Sequence, residues 1–388
     1  MKGFAAALLA LSVITGNCAA APFVPADPKE VLERLPEAPV DGSARELRQM
    51  RRELARDPQN LELAIRVSRR YIERARAEAD PRYLGYAQAA LAPWWNLSSQ
   101  ASVLVLRATI RQSLHDFSNA LSDLSLVLKI EPDNAQAWLT RATIQQARGE
   151  FAEALRSCQP LERLAGELVA TACWAGAASM NGEAEAGYER LRRVLAGQRN
   201  VAPGLRMWIL TGLAEIAQRQ GKSLLAEAHF KEALAVGVAD AYLRAAYADF
   251  LLDEGRPAEV LDLLKSQIRA DGLLLRLTFA EQALHAPAAG EHADALKARF
   301  SASRMRGDSL HRREEARFTL HVLKQPQEAL RLAQENWAVH RELWDARIYL
   351  EAALAARDLG AAGPVLDWLR ENRVQDVKLA SLAKEAAR

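Results

Sequence analysis

The sequence predicts an all-α fold, a solenoid of antiparallel helix pairs, and three observations support this. Short motifs return after 34 residues: Arg-Ala-Thr-Ile at 107–110 recurs at 141–144, and Ala-Leu at 120–121 recurs at 154–155. A fixed period of this kind is typical of repeat arrays. Hydrophobic residues make up 50% of the 388 residues but aromatic residues only 6%, and this Ala- and Leu-rich balance favours helices over strands. Glycine and proline recur where helices are expected to end.

The N-terminal residues are typical of a secretory signal. Lys2 precedes an apolar stretch at residues 4–14, which is too short to span a bilayer, and Ala19 to Ala21 supply small residues for cleavage. We expect residues 1–20 to be a signal peptide, so that the chain is periplasmic or secreted. Cys18 leaves open an outer-membrane lipoprotein, although Asn17 fits the lipoprotein pattern poorly. No later apolar run is long enough for a transmembrane segment.

Residues 21–43 are rich in proline, which breaks helices and favours an extended spacer, with one short turn at residues 30–35. A helical pattern begins at Ala44 and continues to residue 388. Its repeats are clearest at residues 101–271.

The repeat units can be aligned position by position. With Ala101 as a first residue, further units begin at Ala135, Leu168, Met207 and Ala241. The eighth and twentieth positions hold small residues, which closely crossing helices require. These positions are Ala108, Ala142, Ala175, Ala214 and Ala248, then Ala120, Ala154, Gly187, Ala226 and Val260. The fifteenth position, where the first helix must end in a left-handed conformation, holds His115, Gly149, Gly182, Gly221 and Gly255.

These positions resemble those of the tetratricopeptide repeat family. The resemblance implies a right-handed superhelix of about eight or nine helical hairpins, with the final helices as a cap. It also implies that the first helix of each unit lines a concave groove that holds a peptide or a helix of a partner protein.

Segments outside the clear repeats are assigned by the same reasoning. After the stop at Pro132, Asp133 or Asn134 is expected to cap the next helix, and residues 56–60 are expected to do the same before a unit from Leu61. Beyond residue 271 we expect a second helix from residue 327, a first helix at residues 344–354, and a loop or hinge at residues 301–315. The irregular unit from Leu61 contains Trp94 and Trp95, which either anchor a partner or, as we favour, fill space between units.

No catalytic motif is recognisable in the sequence. The closest approach to a metal site is His311, Glu314, Glu315 and His321, which match no known ligand spacing and are better interpreted as a solvated helix start. We therefore expect a protein that is not an enzyme and has no metal or cofactor. A metal-dependent hydrolase with an unrecognised site is the alternative.

Two cysteines follow the expected signal peptide. Cys158 falls in the second helix of one unit and Cys173 in the first helix of the next, at similar distances from a turn near Gly166. Antiparallel helices could bring them face to face as a disulfide in an oxidising compartment. Two unpaired buried cysteines remain the alternative.

The resemblance assigns a partner-binding groove by position. Its residues are mixed and mostly uncharged, which suits hydrogen bonding to a peptide, and they do not match the Lys and Asn clamp by which some family members bind heat-shock chaperones. They are Thr109, Gln112, Thr143, Gln146, Trp208, Glu215, Arg219, Tyr242 and Asp249.

The formal net charge is +2 with both signs interspersed, which argues against a nucleic-acid partner. The sequence thus predicts an exported scaffold that binds a protein or peptide in envelope assembly, secretion or maintenance. Alternatives are a lipid-anchored accessory factor for polysaccharide export or pilus assembly, and a cytosolic adaptor with a chance apolar N-terminus.

Overall fold

The structure is a computed structural model that describes residues 42–96, 99–307 and 310–387. The chain divides into two compact units, Met1–Glu46 and Leu47–Arg388. Of the first unit, only residues 42–46 are described, and they begin helix α1, Gly42–Arg56. Residues 42 and 43 are therefore helical, two residues earlier than expected. The expected signal peptide, Cys18, the turn at residues 30–35 and the rest of the spacer lie outside the described residues.

The described residues form 21 α-helices and two short 3-10 helices, at Ala92–Trp94 and Leu359–Ala362, and contain no strand. After α1, the helices are α2 Leu61–Glu78, α3 Arg82–Ala90, α4 Ala101–Ser113, α5 Phe117–Ile130, α6 Ala135–Ala147, α7 Phe151–Cys158, α8 Leu161–Ala165, α9 Glu167–Ser179, α10 Ala184–Ala196, α11 Pro203–Arg219, α12 Ser223–Ala235, α13 Ala241–Asp253, α14 Pro257–Leu264, α15 Asp271–Ala283, α16 Ala289–Met305, α17 Arg312–His321, α18 Pro326–Trp337, α19 Leu343–Ala356, α20 Gly363–Glu371 and α21 Val377–Ala386. None of them is both long and apolar enough to cross a membrane.

Helix pairs stack from α2 to α20 in the order that the repeats predict. The five aligned units begin within four residues of their expected starts, at α4, α6, α9, α11 and α13. The alanines at the eighth position of each unit have no exposed surface, and neither have Ala120, Ala154, Ala226 and Val260 at the twentieth. A methyl group on Gly187, the fifth member of the second set, would lie 3.3 Å from the carbonyl oxygen of Ala175. The prediction that helices cross closely at these positions is confirmed.

The fifteenth position ends each first helix with a left-handed residue. His115 has a φ of 58°, and the glycines at the four equivalent positions have φ between 70° and 86°. A residue with a Cβ resists this conformation, and glycine does not. His115 adopts it in a turn where its ring packs against Phe117 and against His340, which lies between α18 and α19, with ring centroids 5.5 and 4.8 Å away.

The expected helix caps are present. The side chain of Asn60 accepts a hydrogen bond from the Leu63 amide at 3.0 Å, and Asn134 accepts one from the Ala137 amide at the same distance. Each asparagine satisfies an amide that the first helical turn leaves without a partner. Asp240 caps α13 in the same way.

A disulfide joins two consecutive units. Cys158 at the end of α7 is bonded to Cys173 in α9, with the Cα atoms 5.7 Å apart. Both side chains are buried, and Gly166, with a φ of 84°, makes the turn between the helices.

The loop expected at residues 301–315 is shorter than predicted. Helix α16 continues to Met305 and α17 begins at Arg312, so the connection covers residues 306–311, of which 308 and 309 are not described. The polar and arginine residues that suggested a loop form ion pairs instead. Glu315 pairs with Arg304, and Arg313 pairs with Asp345 at 2.6 Å.

The C-terminal helices turn back along the array. The turns that join first to second helices at His115, Gly149, Gly182 and Gly221 form one edge, here named the turn edge. The Arg341 amide donates to the carbonyl oxygen of Ala147 at 2.8 Å, and the Ala184 amide donates to Gln375 Oε1 at 3.0 Å.

Further contacts continue along the turn edge in chain order. A methyl group on Gly149 would lie 2.7 Å from Trp368 Nε1, and one on Gly182 would lie 3.1 Å from the Arg373 Cβ. Val377 lies against Gly221 in the same way, at 3.5 Å. The residues from His340 to Val377, here named the C-terminal segment, thus contact four successive units.

Candidate partner-binding surface

The residues assigned to a groove lie on the first helices of four units, α4, α6, α11 and α13, and are named the inner surface. Four of them are Thr or Gln. Thr109 is buried, and its hydroxyl donates to Val105 of its own helix at 2.9 Å. Thr143 is exposed and makes the equivalent bond to Leu139. A docking partner would therefore reach Thr143 but not Thr109.

The two glutamines are half-buried. The side-chain oxygen of Gln146 lies 2.9 Å from the position that a methyl group on Gly176 would occupy, so the absence of a side chain at Gly176 lets Gln146 approach α9. Gln112 occupies the equivalent register on α4, and both amides can donate and accept.

Two aromatic side chains are the largest exposed groups of the inner surface. Trp208 in α11 is 41% exposed and Tyr242 in α13 is 60% exposed. The Tyr242 hydroxyl donates to Glu215 Oε1 at 2.6 Å. Trp208 and Glu215 are seven residues apart and share a helix face, so the hydrogen bond connects Tyr242 to the face that carries Trp208.

The Tyr242–Glu215 pair is partly accessible to solvent yet surrounded by protein. Burial raises the pKa of Glu215, although the hydrogen bond from Tyr242 and the charge of Arg219 oppose it. Burial also raises the pKa of Tyr242 well above its ordinary value, with Glu215 and Glu342 adding to the effect. The Tyr242 ring itself is 60% exposed.

Arg219, on the same helix, has one donor without a partner among the described residues. Its terminal nitrogen donates to Ser179 Oγ at 2.7 Å, whereas its Nε is buried and has no partner among the described residues. Burial lowers the pKa of Arg219, and the carboxylates of Glu215 and Asp376 raise it. An unsatisfied buried donor is costly, but this Nε–H is enclosed by protein, so a docking partner would not reach it.

Asp249 is placed differently from the other assigned residues. It is 2% exposed, and its carboxylate accepts from Arg276 at 2.6 Å and from Arg317 at 2.8 Å. Both oxygens are thus occupied, and the residue supports the surface without being free to bind a partner.

A cleft of about 300 Å³ opens beside Asp249. The Trp344 ring lies at its wall, with the guanidinium carbons of Arg317 and Arg347 each 4.4 Å from the ring centre. Arg347 is held in turn by two hydrogen bonds of 2.7 Å to Asp253. The cations of the cleft are therefore paired with carboxylates or stacked on an aromatic ring.

The four residues considered for a metal site do not come together. Glu315 pairs with Arg304, and His321 Nε2 lies 3.1 Å from Glu351 Oε2. Within the described ranges, a different group of three residues with ligand-type side chains does come together. It consists of His340, Glu342 and Asp345, with ligand atoms within 4.8 Å of one another.

Arg313 occupies the centre of that group. It donates to Asp345 Oδ1 at 2.6 Å and to Glu342 Oε2 at 2.8 Å, and its terminal nitrogen lies 2.8 Å from His340 Nδ1. Burial raises the pKa of Asp345, but Arg313 and His340 outweigh it and hold that pKa far below its ordinary value. The arrangement is that of an ion-pair cluster, and a metal ion would have to displace the guanidinium.

The tryptophans of the irregular unit are half-buried. Trp94 and Trp95 pack against the core of α2 and α3, and Arg111 lies over the Trp95 ring at 5.9 Å. These contacts fit the packing interpretation.

Sequence reasoning missed the partners of the inner surface that come from residues 313 to 376. Glu342, Arg313 and Asp376 act on the charges of Tyr242, Glu215 or Arg219, although they lie far along the chain. Their motifs do not follow the 34-residue period, so the repeat pattern gives no sign of them.

Comparison with known proteins identifies the fold. No protein-family model matches the sequence, and no curated protein matches it. The crystal structure of the APC/C hetero-tetramer Cut9-Hcn1 is similar to the chain with a TM-score of 0.50 at 13% identity; the match covers 85% of this chain and 64% of that one. The chain therefore spans less than two thirds of that protein.

Other tetratricopeptide structures match less closely. A repeat protein from Parabacteroides merdae gives a TM-score of 0.31 at 15% identity, covering 74% of this chain and 99% of that one. Yeast Tom70 gives 0.32 at 11% identity, covering 89% and 92%. The helix pairs, the buried small residues and the similarity to Cut9-Hcn1 together show that the chain has the tetratricopeptide-type fold, a right-handed superhelical solenoid of antiparallel helix pairs.

Proposed function

We propose that the protein is an exported scaffold that holds a segment of another exported protein against its inner surface and acts in envelope assembly, secretion or maintenance. The fold supports the general part of this proposal, because repeat solenoids present extended concave surfaces for binding. Binding, not catalysis, is the activity that we propose.

The observation that carries the proposal is the pair of exposed aromatics on consecutive first helices. Trp208 and Tyr242 keep 41% and 60% of their surface accessible, and among the described Phe, Trp and Tyr side chains only Tyr86, at 52%, is exposed to a similar degree. Trp and Tyr dominate binding energy at protein interfaces. The Glu215 carboxylate holds the Tyr242 hydroxyl and so fixes the ring before a partner arrives.

The neighbouring polar groups favour a peptide partner. Thr143, Gln112 and Gln146 offer uncharged donors and acceptors. Such a set suits the alternating amides and carbonyls of an extended backbone better than it suits a single strong charge. We expect a partner segment with apolar side chains to contact Trp208 and Tyr242.

Export is supported by the sequence of residues 1–20 alone. It is tested by the mass of the N-terminal peptide in cells. A mature protein that begins after Ala20 or Ala21 supports export, a lipid on Cys18 assigns the anchored form, and an intact Met1 contradicts both.

In-cell crosslinking followed by mass spectrometry of the envelope fraction tests the binding site. We expect a reproducible exported partner with the native chain. The double substitution Trp208→Ala and Tyr242→Ala should reduce its recovery by about tenfold or more, because hot-spot aromatics cost about 2 kcal/mol or more when truncated.

The matched control changes two exposed apolar residues on second helices, Leu126→Ala and Leu224→Ala, which are 45% and 86% exposed. Recovery should stay unchanged in this variant. Equal loss in both variants, or a partner retained by the Trp208 and Tyr242 variant, would move the binding site away from the inner surface.

A further inference from the structure

Helix α1 carries an arginine face that the repeat array does not use. Arg48, Arg52 and Arg56 follow at intervals of four residues, which places them on one side of a helix. All three are exposed. The opposite side, with Leu47, Met50 and Leu54, packs against the core of α2 and α3, and this contact fixes the direction in which the arginines point.

The arginine face has no ion-pair partner among the residues that the structure describes. Within the described ranges none of its three residues forms an ion pair, whereas on α2 Arg66 pairs with Glu62 at 2.8 Å and Arg74 with Glu78 at 2.7 Å. Glu53, the one acidic residue from Leu47 to Arg56, instead accepts a hydrogen bond from Gln49 at 2.9 Å.

The arrangement costs helix stability. Like charges four residues apart on a helix repel one another, and among the described residues no carboxylate pairs with these arginines to relieve the repulsion. An external anionic surface would remove this cost and make three guanidinium groups useful together, since each can donate two parallel hydrogen bonds to a phosphate.

We propose that the arginine face of α1 docks on the anionic phosphate headgroups of a lipid bilayer. Under the export proposed above, the apolar stretch at residues 4–14 holds the preceding part of the chain at a membrane during translocation, and α1 begins only about thirty residues later. The face also fits a planar partner, because its three arginines span about 12 Å along one side of one helix.

A nucleic acid fits the same face less well. The phosphates of a nucleic acid lie along its whole length and bind extended positive surfaces of a protein. Beyond α1 the charges of this protein are mixed in sign, with a net charge of +2 for the whole chain. A bilayer surface, by contrast, has to contact only the arginine face of α1.

The size of the effect implies that the arginine face assists a second anchor. One basic residue near an anionic membrane strengthens binding about fivefold, so three arginines strengthen it on the order of 100-fold. Stable membrane attachment ordinarily takes two such signals. The face would therefore hold the protein at the membrane only briefly by itself, and firmly beside a lipid or a membrane-bound partner.

Vesicle sedimentation of the purified full chain tests the proposal. Partition coefficients are compared between vesicles of phosphatidylcholine alone and vesicles with about 30% phosphatidylglycerol, at about 50 mM salt, where screening is weak. We expect a preference for anionic vesicles on the order of 100-fold. It should fall to near unity in Arg48→Gln, Arg52→Gln, Arg56→Gln.

The control variant removes the same charge elsewhere. Arg193, Arg199 and Arg357 are exposed and form no ion pair within the described ranges, so their joint change to Gln should leave the preference within about twofold. Circular dichroism checks that both variants remain folded. Because the chain is purified, the result does not depend on export or on a peptide partner.

Three results would overturn the proposal: equal binding of the native chain to both vesicle types, an unchanged preference in the α1 variant, or an equal loss in the control. Tighter binding to a short DNA duplex than to anionic vesicles, lost in the α1 variant, would assign the face to a nucleic acid instead.

Discussion

Asp249 shows how a single buried charge is tolerated in the array. Burial raises the pKa of its carboxyl group, but Arg276 and Arg317 outweigh burial and hold that pKa below its ordinary value. Both arginines are themselves buried. Ion pairs of this kind cost desolvation when they form and are strongly destabilising when one partner is removed.

At this scale we predict that Asp249→Asn destabilises the protein by about 3–5 kcal/mol, because it leaves two buried guanidinium groups without a counter-charge. Urea unfolding followed by far-UV circular dichroism measures the change. Asp262→Asn is the control, since Asp262 pairs with Lys265 at the exposed surface and should cost at most about 1 kcal/mol. Equal costs for the two substitutions would contradict this account.

The structural roles of single residues were predictable where they depend on the 34-residue repeat period. The small residues at the eighth and twentieth positions and the left-handed His115 follow from the unit alignment alone. The partners of Asp249 were not predictable, because Arg276 and Arg317 lie 27 and 68 residues away and nothing in the repeat marks them as its ion-pair partners. Side-chain pairing depends on the final packing of distant helices.

The turns between first and second helices are elements with two roles. Each reverses the chain in about two residues, which is why glycine occupies four of the five aligned positions. The turn at Gly149 also receives Trp368, whereas at Gly255 no atom lies within 4 Å of the position that a methyl group would occupy. Comparing an alanine substitution at Gly149 with one at Gly255 therefore separates the cost of backbone strain, which both share, from the cost of packing against Trp368.

We predict that Gly149→Ala is more destabilising than Gly255→Ala by about 1–3 kcal/mol. Both share the cost of a side chain in the left-handed region, about 1–2 kcal/mol, but only Gly149→Ala forces a methyl group to within 2.7 Å of Trp368 Nε1. Denaturant midpoints of the two variants measure the difference. Equal denaturant midpoints for the two variants would contradict this account, because they would mean that Trp368 moves aside without a cost in stability.

The helix pairs themselves were predictable from sequence, and the connection at residues 306–311 was only partly so. Arginine and acidic residues look the same whether they are solvated in a loop or paired across helices. At residues 301–315 the second possibility holds, and the predicted loop was too long.

At the scale of the whole array, the C-terminal segment changes how the units depend on one another. A repeat solenoid ordinarily has contacts only between neighbouring units. Here Arg341, Trp368, Gln375 and Val377 contact units that lie about 150 to 220 residues earlier in the chain. The earlier units should then not open separately from the C-terminal helices.

We predict that α9, α11 and α21 share one opening free energy in native-state hydrogen exchange. The joint change Gln375→Ala and Val377→Ala should lower protection in all three helices together. Glu371→Ala with Lys378→Ala, at exposed positions of the same segment, is the control and should lower none. Fast exchange of α21 in the native chain, with α9 and α11 still protected, would contradict this coupling.

The return of the chain could not be predicted from sequence. A period of 34 residues reports what adjacent units share, and contacts across 190 residues leave no periodic trace. The aromatic and polar residues near the C-terminus therefore looked like ordinary repeat packing.

The C-terminal segment also sets the size of the array. Open solenoids gain or lose units by duplication and deletion, since any unit can follow any other. In this protein His340, Trp368, Arg373 and Val377 meet four consecutive turns in a fixed order. An inserted or deleted unit between His115 and Gly221 would leave at least one of these side chains opposite the wrong turn. The contacts of the C-terminal segment therefore fix the number of repeat units between His115 and Gly221.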